Sequence, residues 1–409
     1  MSAIPVAPRP ETVGLSGPRL ARLQDWMEGY VARGELPWAS TVVARHGEIA
    51  WSGRAGLADI AAGRAIEDDA ILRIYSMSKP ITAVAALMLY EEARFQLDDP
   101  IGRYIPELDD MQVRIAEHGD DLVCEPAAGP ITIRHLFTHT SGFIYGAFGD
   151  DALARLYTAR DMHFRGRGGT LAEQTARLGE LPLHHHPGRN WSYGVSTDVL
   201  GRLVEVLSGE SFDRFLAHRI FAPLGMEDTF FELPADRQGR FLPCYRKTEQ
   251  ERLELWDTGA PGTRFTSEVA CFSGGGGLLS TQGDYLRFTE MLRRVGELGG
   301  NRLLSPRTVA FMASNHLEGD IAAIDASSFG ESTTVGVGFG LGVSVMLDPA
   351  AAQVLASPGE FGWGGMASTA FWVDPVEDLS VVFLSQLVPS SSYPLRRELH
   401  ALIQQALLD

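Results

Sequence analysis

Ser76-Met77-Ser78-Lys79-Pro80-Ile81-Thr82-Ala83-Val84-Ala85-Ala86-Leu87-Met88 carries two patterns at once. Apolar side chains at 81, 84, 87 and 88 recur at helical spacing among alanines, so Ser76 to Ala93 reads as a buried helix. Pro80 falls in its first turn, where a missing N–H breaks no bond. The first four residues form Ser-x-x-Lys. Positions i and i+3 share a helix face, which lets the Ser76 hydroxyl and the Lys79 amine meet. The helix N-terminus adds free N–H groups and positive potential, which favour a developing oxyanion. The plainer alternative makes Ser76 a cap and Lys79 a surface charge, but an apolar helix is a poor place for an unpaired cation.

Composition sharpens that choice. Of 35 lysines and arginines, only Lys79 and Lys247 are lysine. Arginine never gives up its proton under ordinary conditions, whereas lysine can, so a retained lysine in an arginine-biased chain suits a proton-handling role. The 409 residues allow two domains or one large domain with an insertion, and 45% hydrophobic content argues for a globular protein. A net charge of −17 argues against nucleic acid or an acidic membrane surface as partner. No apolar run approaches a membrane span. The first twenty residues, with four prolines and no apolar core, do not read as a signal peptide. Three scattered cysteines (Cys124, Cys244, Cys271) suggest reduced thiols, and a cytoplasmic location is expected.

Outward from the central helix, the segment after Gly17 reads as an amphipathic helix through Leu20, Leu23, Trp26 and Met27. Ser40 to Ala44 and Ile49 to Ser52 read as strands around a His46-Gly47 turn. Residues 95–295 read as mainly helical with long polar loops, including Ile133 to Thr138, Leu171 to Leu178, and Val195 to Leu207 closing at Ser208-Gly209. Strands return at Gly340 to Met346, Ser368 to Val373 and Leu379 to Gln386, and Leu395 to Leu408 is a last helix. Strands at both ends predict one α/β domain, residues 1–94 with 296–409, whose antiparallel sheet is flanked by helices; residues 95–295 are the inserted helical domain, with the site between them.

Other groups are weaker alone. Tyr193, in Trp191-Ser192-Tyr193, precedes a helix and would share a proton with a lysine folded beside it. Gly362-Trp363-Gly364-Gly365 precedes a strand, where glycines permit close backbone approach; a turn with an exposed aromatic fits equally well. His184-His185-His186 are adjacent, point in different directions and lack spaced partners, so a polar loop fits better than a metal site. His135 and His139 read as structural hydrogen-bonders. The Gly-x-Ser-x-Gly elbow of α/β-hydrolases is absent.

The order Ser-x-x-Lys, tyrosine motif, then small-residue motif before a late strand resembles serine β-lactamases and penicillin-binding proteins. The chain looks most like the family VIII carboxylesterases of that superfamily, which are similar to class C β-lactamases and some acyltransferases. Asp98-Asp99-Pro100-Ile101, Leu136 to Gly142, Gly274 to Thr281 and Gly338 to Gly342 extend the resemblance from about residue 15 to the C-terminus. It implies Ser76 as acylated nucleophile, Lys79 as its proton-accepting neighbour and Tyr193 as shared base and acid. It also implies an oxyanion hole from the Ser76 and Met366 N–H groups, a wall from Trp363, Gly364 and Gly365, and Tyr145 lining the pocket.

Two departures bear on substrate. Val195 stands where Tyr-type β-lactamases of the family carry the asparagine of Tyr-x-Asn, and Trp363 replaces the lysine of Lys-Thr-Gly. Losing a charge-assisted contact costs about 1.5–3 kcal/mol, and an indole wall suits an uncharged acyl or alkoxy group. The expectation is an acyl-enzyme esterase acting on a small-molecule ester, with no metal or organic cofactor. An acyltransferase, a β-lactamase or an amidase would use the same residues, and oligomeric state stays open.

Overall fold

A computed structural model describes residues 4–164, 168–266, 268–324 and 334–409. Its centre is an eight-stranded sheet. We label the strands β1 (Trp38–Arg45), β2 (Glu48–Asp59), β3 (Arg64–Ala65), β4 (Val337–Phe339), β5 (Ser344–Met346), β6 (Phe361–Gly365), β7 (Thr369–Asp374) and β8 (Leu379–Leu384). Their spatial order is β4-β5-β6-β7-β8-β1-β2-β3, with every neighbouring pair antiparallel. The two ends of the chain meet where Thr41 faces Phe383 and Val43 faces Val381. β1, β7 and β8 are buried along their whole length. Both faces of these strands are therefore covered, which explains their near-continuous apolar runs.

One face carries α1 (Gly17–Ala32) and the C-terminal helix α5 (Leu395–Gln404), whose Leu20, Leu23, Met27, Leu399 and Ile403 form one cluster with Val43, Val381 and Phe383. The other face carries α2 (Ser78–Glu91) and α4 (Gln282–Arg293). α4 is tied down by Tyr285, which packs 5.2 Å edge-on to Phe371, and by Glu290, fully buried, which accepts from Ser380 Oγ at 2.6 Å and from Arg293. Glu290→Ala strips the buried Ser380 hydroxyl of its acceptor and leaves the Arg293 guanidinium paired with Asp378 alone. We expect it to lower unfolding stability by about 3 kcal/mol, read as the shift in urea midpoint; a loss under about 1 kcal/mol would mean that water reaches the pair.

Between β3 and β4 lie further helices, among them Ile133–Phe137, Leu171–Leu178 and α3 (Ser196–Ser208), which ends on left-handed Gly209. The same region holds two hairpins that the periodicity did not disclose, Gln112–His118 with Asp121–Pro126 and Cys244–Lys247 with Leu253–Asp257. The first is largely exposed, so no buried face imposes alternation on it. Two expectations also need correction. Gly340 to Val343 is a turn rather than strand, because Gly342 takes φ +86 with its α-carbon against Ala83. Gly362 to Gly365 is itself strand rather than a turn, paired along its length with β7 and with β5 only at Gly362. No helix among the described residues is long and apolar enough to cross a membrane.

Candidate active site

Ser76 sits in a 3-10 turn, Tyr75–Met77, immediately before α2 rather than inside it. Tyr75 adopts φ +44, a left-handed conformation that bulky residues avoid. The turn is held by Met77 N–H on the Ile74 carbonyl (3.1 Å) and by the Tyr285 hydroxyl on the Met77 carbonyl (2.9 Å). Ser76 is thereby presented to a cavity while Met77 and Ser78 are buried.

Lys79 is fully buried, one turn on. Its ammonium donates to Ser76 Oγ (3.2 Å), the Tyr145 hydroxyl (3.2 Å) and the Gly275 carbonyl (2.7 Å). Lysine has three N–H donors, and each has a partner here. The Gly275 carbonyl is reachable because the 274–277 backbone lies against α2 and α3. A β-carbon on residue 275 would stand 2.4 Å from Asp198 Oδ2 and 2.7 Å from the Tyr145 hydroxyl, so only glycine fits.

Tyr193 reaches the same serine from the other side, its hydroxyl donating to Ser76 Oγ at 2.7 Å. The segment 139–143 is the platform that sets it there. The His139 carbonyl accepts from Ser192 N–H (2.8 Å), the Thr140 carbonyl from Gly188 N–H (2.7 Å) and the Gly142 carbonyl from His184 N–H (2.8 Å), while Ser141 and Ser196 share a hydroxyl bond of 2.8 Å. The Tyr193 ring lies 5.6 Å from Trp363, 5.5 Å from Tyr145 and 4.5 Å from Lys79 Nζ.

β6 closes the far wall. A β-carbon at Gly365 would come within 2.4 Å of the Ile74 carbonyl, so glycine is what lets this strand abut the Ser76 turn and carry Met366 past it. Trp363, Gly364, Gly365 and Met366 all border a cavity of about 490 Å³ that also reaches Ser76, Tyr193, Phe148, Trp191 and Ile321. That size suits a small organic molecule. Val195 does not reach it: its side chain is fully buried in the main core at the cap of α3. Tyr145 contacts the site through Lys79 rather than through the cavity wall.

The histidines divide. His135 closes a capping box, its Nδ1 accepting from Thr132 N–H at 3.1 Å, and burial holds its pKa down to about 4. His139 is no hydrogen-bonder at its ring: Nδ1 and Nε2 are both buried and unpartnered, 5.0 Å from the Tyr193 ring. Burial, then the Lys79 charge, push its pKa well below the usual value and keep it neutral. His185 and His186 serve the loop, on Ser192 Oγ and on Ala128 N–H. No metal-binding cluster occurs among the described residues.

Sequence reasoning missed Asp198 and Phe148. Asp198 is fully buried in the first turn of α3, accepting from Ser273 Oγ (2.5 Å) and Gly275 N–H (3.0 Å). Its only signal was an acid five residues after Tyr193, in the first turn of the helix Ser196-Thr197-Asp198-Val199-Leu200.

Known proteins with this architecture include Esterase EstB of Burkholderia gladioli, 33% identical over 89% of this chain and 90% of that protein. Monacolin J acid methylbutanoyltransferase of Aspergillus terreus is 29% identical over 84% and 83%. The solved structure of EstCE1, described as a hydrolase with promiscuous acyltransferase activity, superposes with a TM-score of 0.78 at 26% identity over 96% and 99%. The Beta-lactamase family model matches residues 23–405, nearly the whole chain, and the protein belongs to that family.

Proposed function

We propose that this protein is a serine carboxylesterase that works through an acyl-enzyme on Ser76. The observation that carries the reading is the convergence of the Tyr193 hydroxyl and the Lys79 ammonium on one Ser76 Oγ at a cavity wall. Once the Tyr193–Lys79 pair has given up one proton to solvent, Ser76 Oγ attacks the ester carbonyl as its own proton passes to that pair. The Ser76 and Met366 N–H groups receive the oxyanion, Tyr193 returns the proton to the leaving alkoxide, and water repeats the sequence to free the acid. The relatives support ester chemistry, since EstB is named an esterase. Acyl transfer is the second reading, favoured by the transferase among the relatives. It differs only in an alcohol replacing water, so the ratio of transfer to hydrolysis product under added alcohol separates the two.

The substrate is an uncharged ester rather than a β-lactam. Strand alternation puts Trp363 toward Tyr193, whereas the neighbouring Gly364 faces Arg396 on the other side of β6. Position 363 itself therefore carries no cation, and the guanidinium groups that line the cavity, Arg396 and Arg397, belong to the C-terminal helix beyond Gly364. One lost charge-assisted contact is worth about 1.5–3 kcal/mol, or one to two decades in binding. Accordingly kcat/KM for p-nitrophenyl butyrate is expected to exceed that for benzylpenicillin and nitrocefin by about tenfold or more on one preparation. If either β-lactam matches the ester, the reading of Trp363 is wrong.

A further inference from the structure

Lys79 is a fully buried cation, and a buried cation needs a counter-charge. Ser76, Tyr145 and Gly275 give it hydrogen bonds but no negative charge. Asp198 supplies one. It is fully buried, sits at the N-terminal turn of α3, where the helix favours an anion, and acts electrostatically on Lys79. Oδ1 is occupied by Ser273 and Gly275 N–H. Oδ2 has no hydrogen-bond partner of ordinary geometry, and it shares with the Tyr145 hydroxyl the space above the Gly275 α-carbon. Since Lys79 donates to the Tyr145 oxygen, the single phenolic proton of Tyr145 is left for Oδ2.

We infer that Asp198 is a positioning residue for the reaction, the buried counter-charge that acts through Tyr145 to set when the Lys79–Tyr193 pair can take the Ser76 proton. This rests on the acyl-enzyme reading above. The surrounding charges are consistent with it. Burial raises the Asp198 carboxyl, and Lys79, the Ser273 and Gly275 donors and Arg264 pull it back. Burial, then Asp198 and Tyr193, raise Tyr145 far above an ordinary phenol, so it stays a neutral donor. The Cys271 thiol is pushed up by burial and Asp198, and His139 is held neutral, so neither adds charge near Lys79.

The sign follows. Removing the anion makes a cation at Lys79 less favourable, so the group that must lose a proton before Ser76 is activated loses it at lower pH. Asp198→Asn keeps an oxygen for Ser273 and Gly275 N–H and turns an amide toward Tyr145. We expect it to move the acidic limb of the pH profile down by about one unit, with a several-fold lower plateau. The profile is measured as the rate of Ser76 phosphonylation by a fluorophosphonate, read by intact mass, so the physiological ester need not be known. Ser273→Ala weakens the same anion and is expected to move the limb the same way by less; it decides the matter if Asp198→Asn does not fold. A wild-type protein unlabelled at Ser76 sinks the acyl-enzyme reading itself. Labelled wild type with superimposable limbs in the folded variants overturns the role of Asp198 alone, even if their plateaus fall.

Discussion

Ser76→Ala is expected to lower kcat for ester hydrolysis by about 10⁴-fold or more with the fold intact. The hydroxyl is the shared acceptor of Tyr193 and Lys79, so its loss removes the bond-forming atom rather than a helper. The methyl that remains fits a turn whose geometry is set elsewhere, by Tyr285 on the Met77 carbonyl and Met77 N–H on Ile74. Tyr193 borders the cavity, where water replaces the lost partner. The melting temperature should therefore change little while a fluorophosphonate adduct, single and on Ser76 in the wild type, disappears. Activity above about 1% of wild type, a residue well over that expected from transition-state binding alone, would place the nucleophile elsewhere.

What made this site readable in the sequence was local geometry. Ser76 and Lys79 meet because they are three residues apart at a helix start, and that spacing survives even though Ser76 lies in the 3-10 turn before the helix. The flanking strands were readable for a related reason: β7 and β8 are buried on both faces and read as near-continuous apolar runs. Tyr193 was different. It lies 117 residues from Ser76, so the residues alone made it a weak candidate and the resemblance gave it its role. The bonds from 139–143 to 184–192 that place it are mostly between backbone atoms, which leave no side-chain signature.

Val195 illustrates the opposite error. Its position in the motif suggested a cavity residue, but the first turn of α3 packs it into the core. Asp198, one helical turn further on, accepts from the N–H of Gly275, whose carbonyl holds the lysine, and carried no motif at all. Gly365 and Gly275 belong with it, since each is demanded by a contact with a distant segment. Long-range charge balance and backbone clearance are properties of the assembled fold, and a single sequence does not display them.

Lys79→Arg is expected to be nearly as damaging as Lys79→Ala, each lowering kcat/KM by about 10³-fold or more. The ammonium spends its three donors on Ser76, Tyr145 and Gly275 at 2.7 to 3.2 Å, inside a fully buried site bounded by the Tyr193 ring. Arginine keeps the positive charge opposite Asp198, so the electrostatic balance of the resting site survives. It loses two things. Its planar fork cannot satisfy three acceptors spread around a point, and its extra bulk has no room in a packed interior. More important, guanidinium does not release its proton, so the relay from Ser76 through Tyr193 has nowhere to pass it. Alanine loses both charge and relay but does not overpack. Comparing the two variants thus separates charge from proton transfer, provided circular dichroism and thermal melting show both folded. If Lys79→Arg keeps more than about a tenth of wild-type kcat/KM, a loss under about 1.4 kcal/mol, lysine supplies only charge here. Tyr193 would then have to act as base without it.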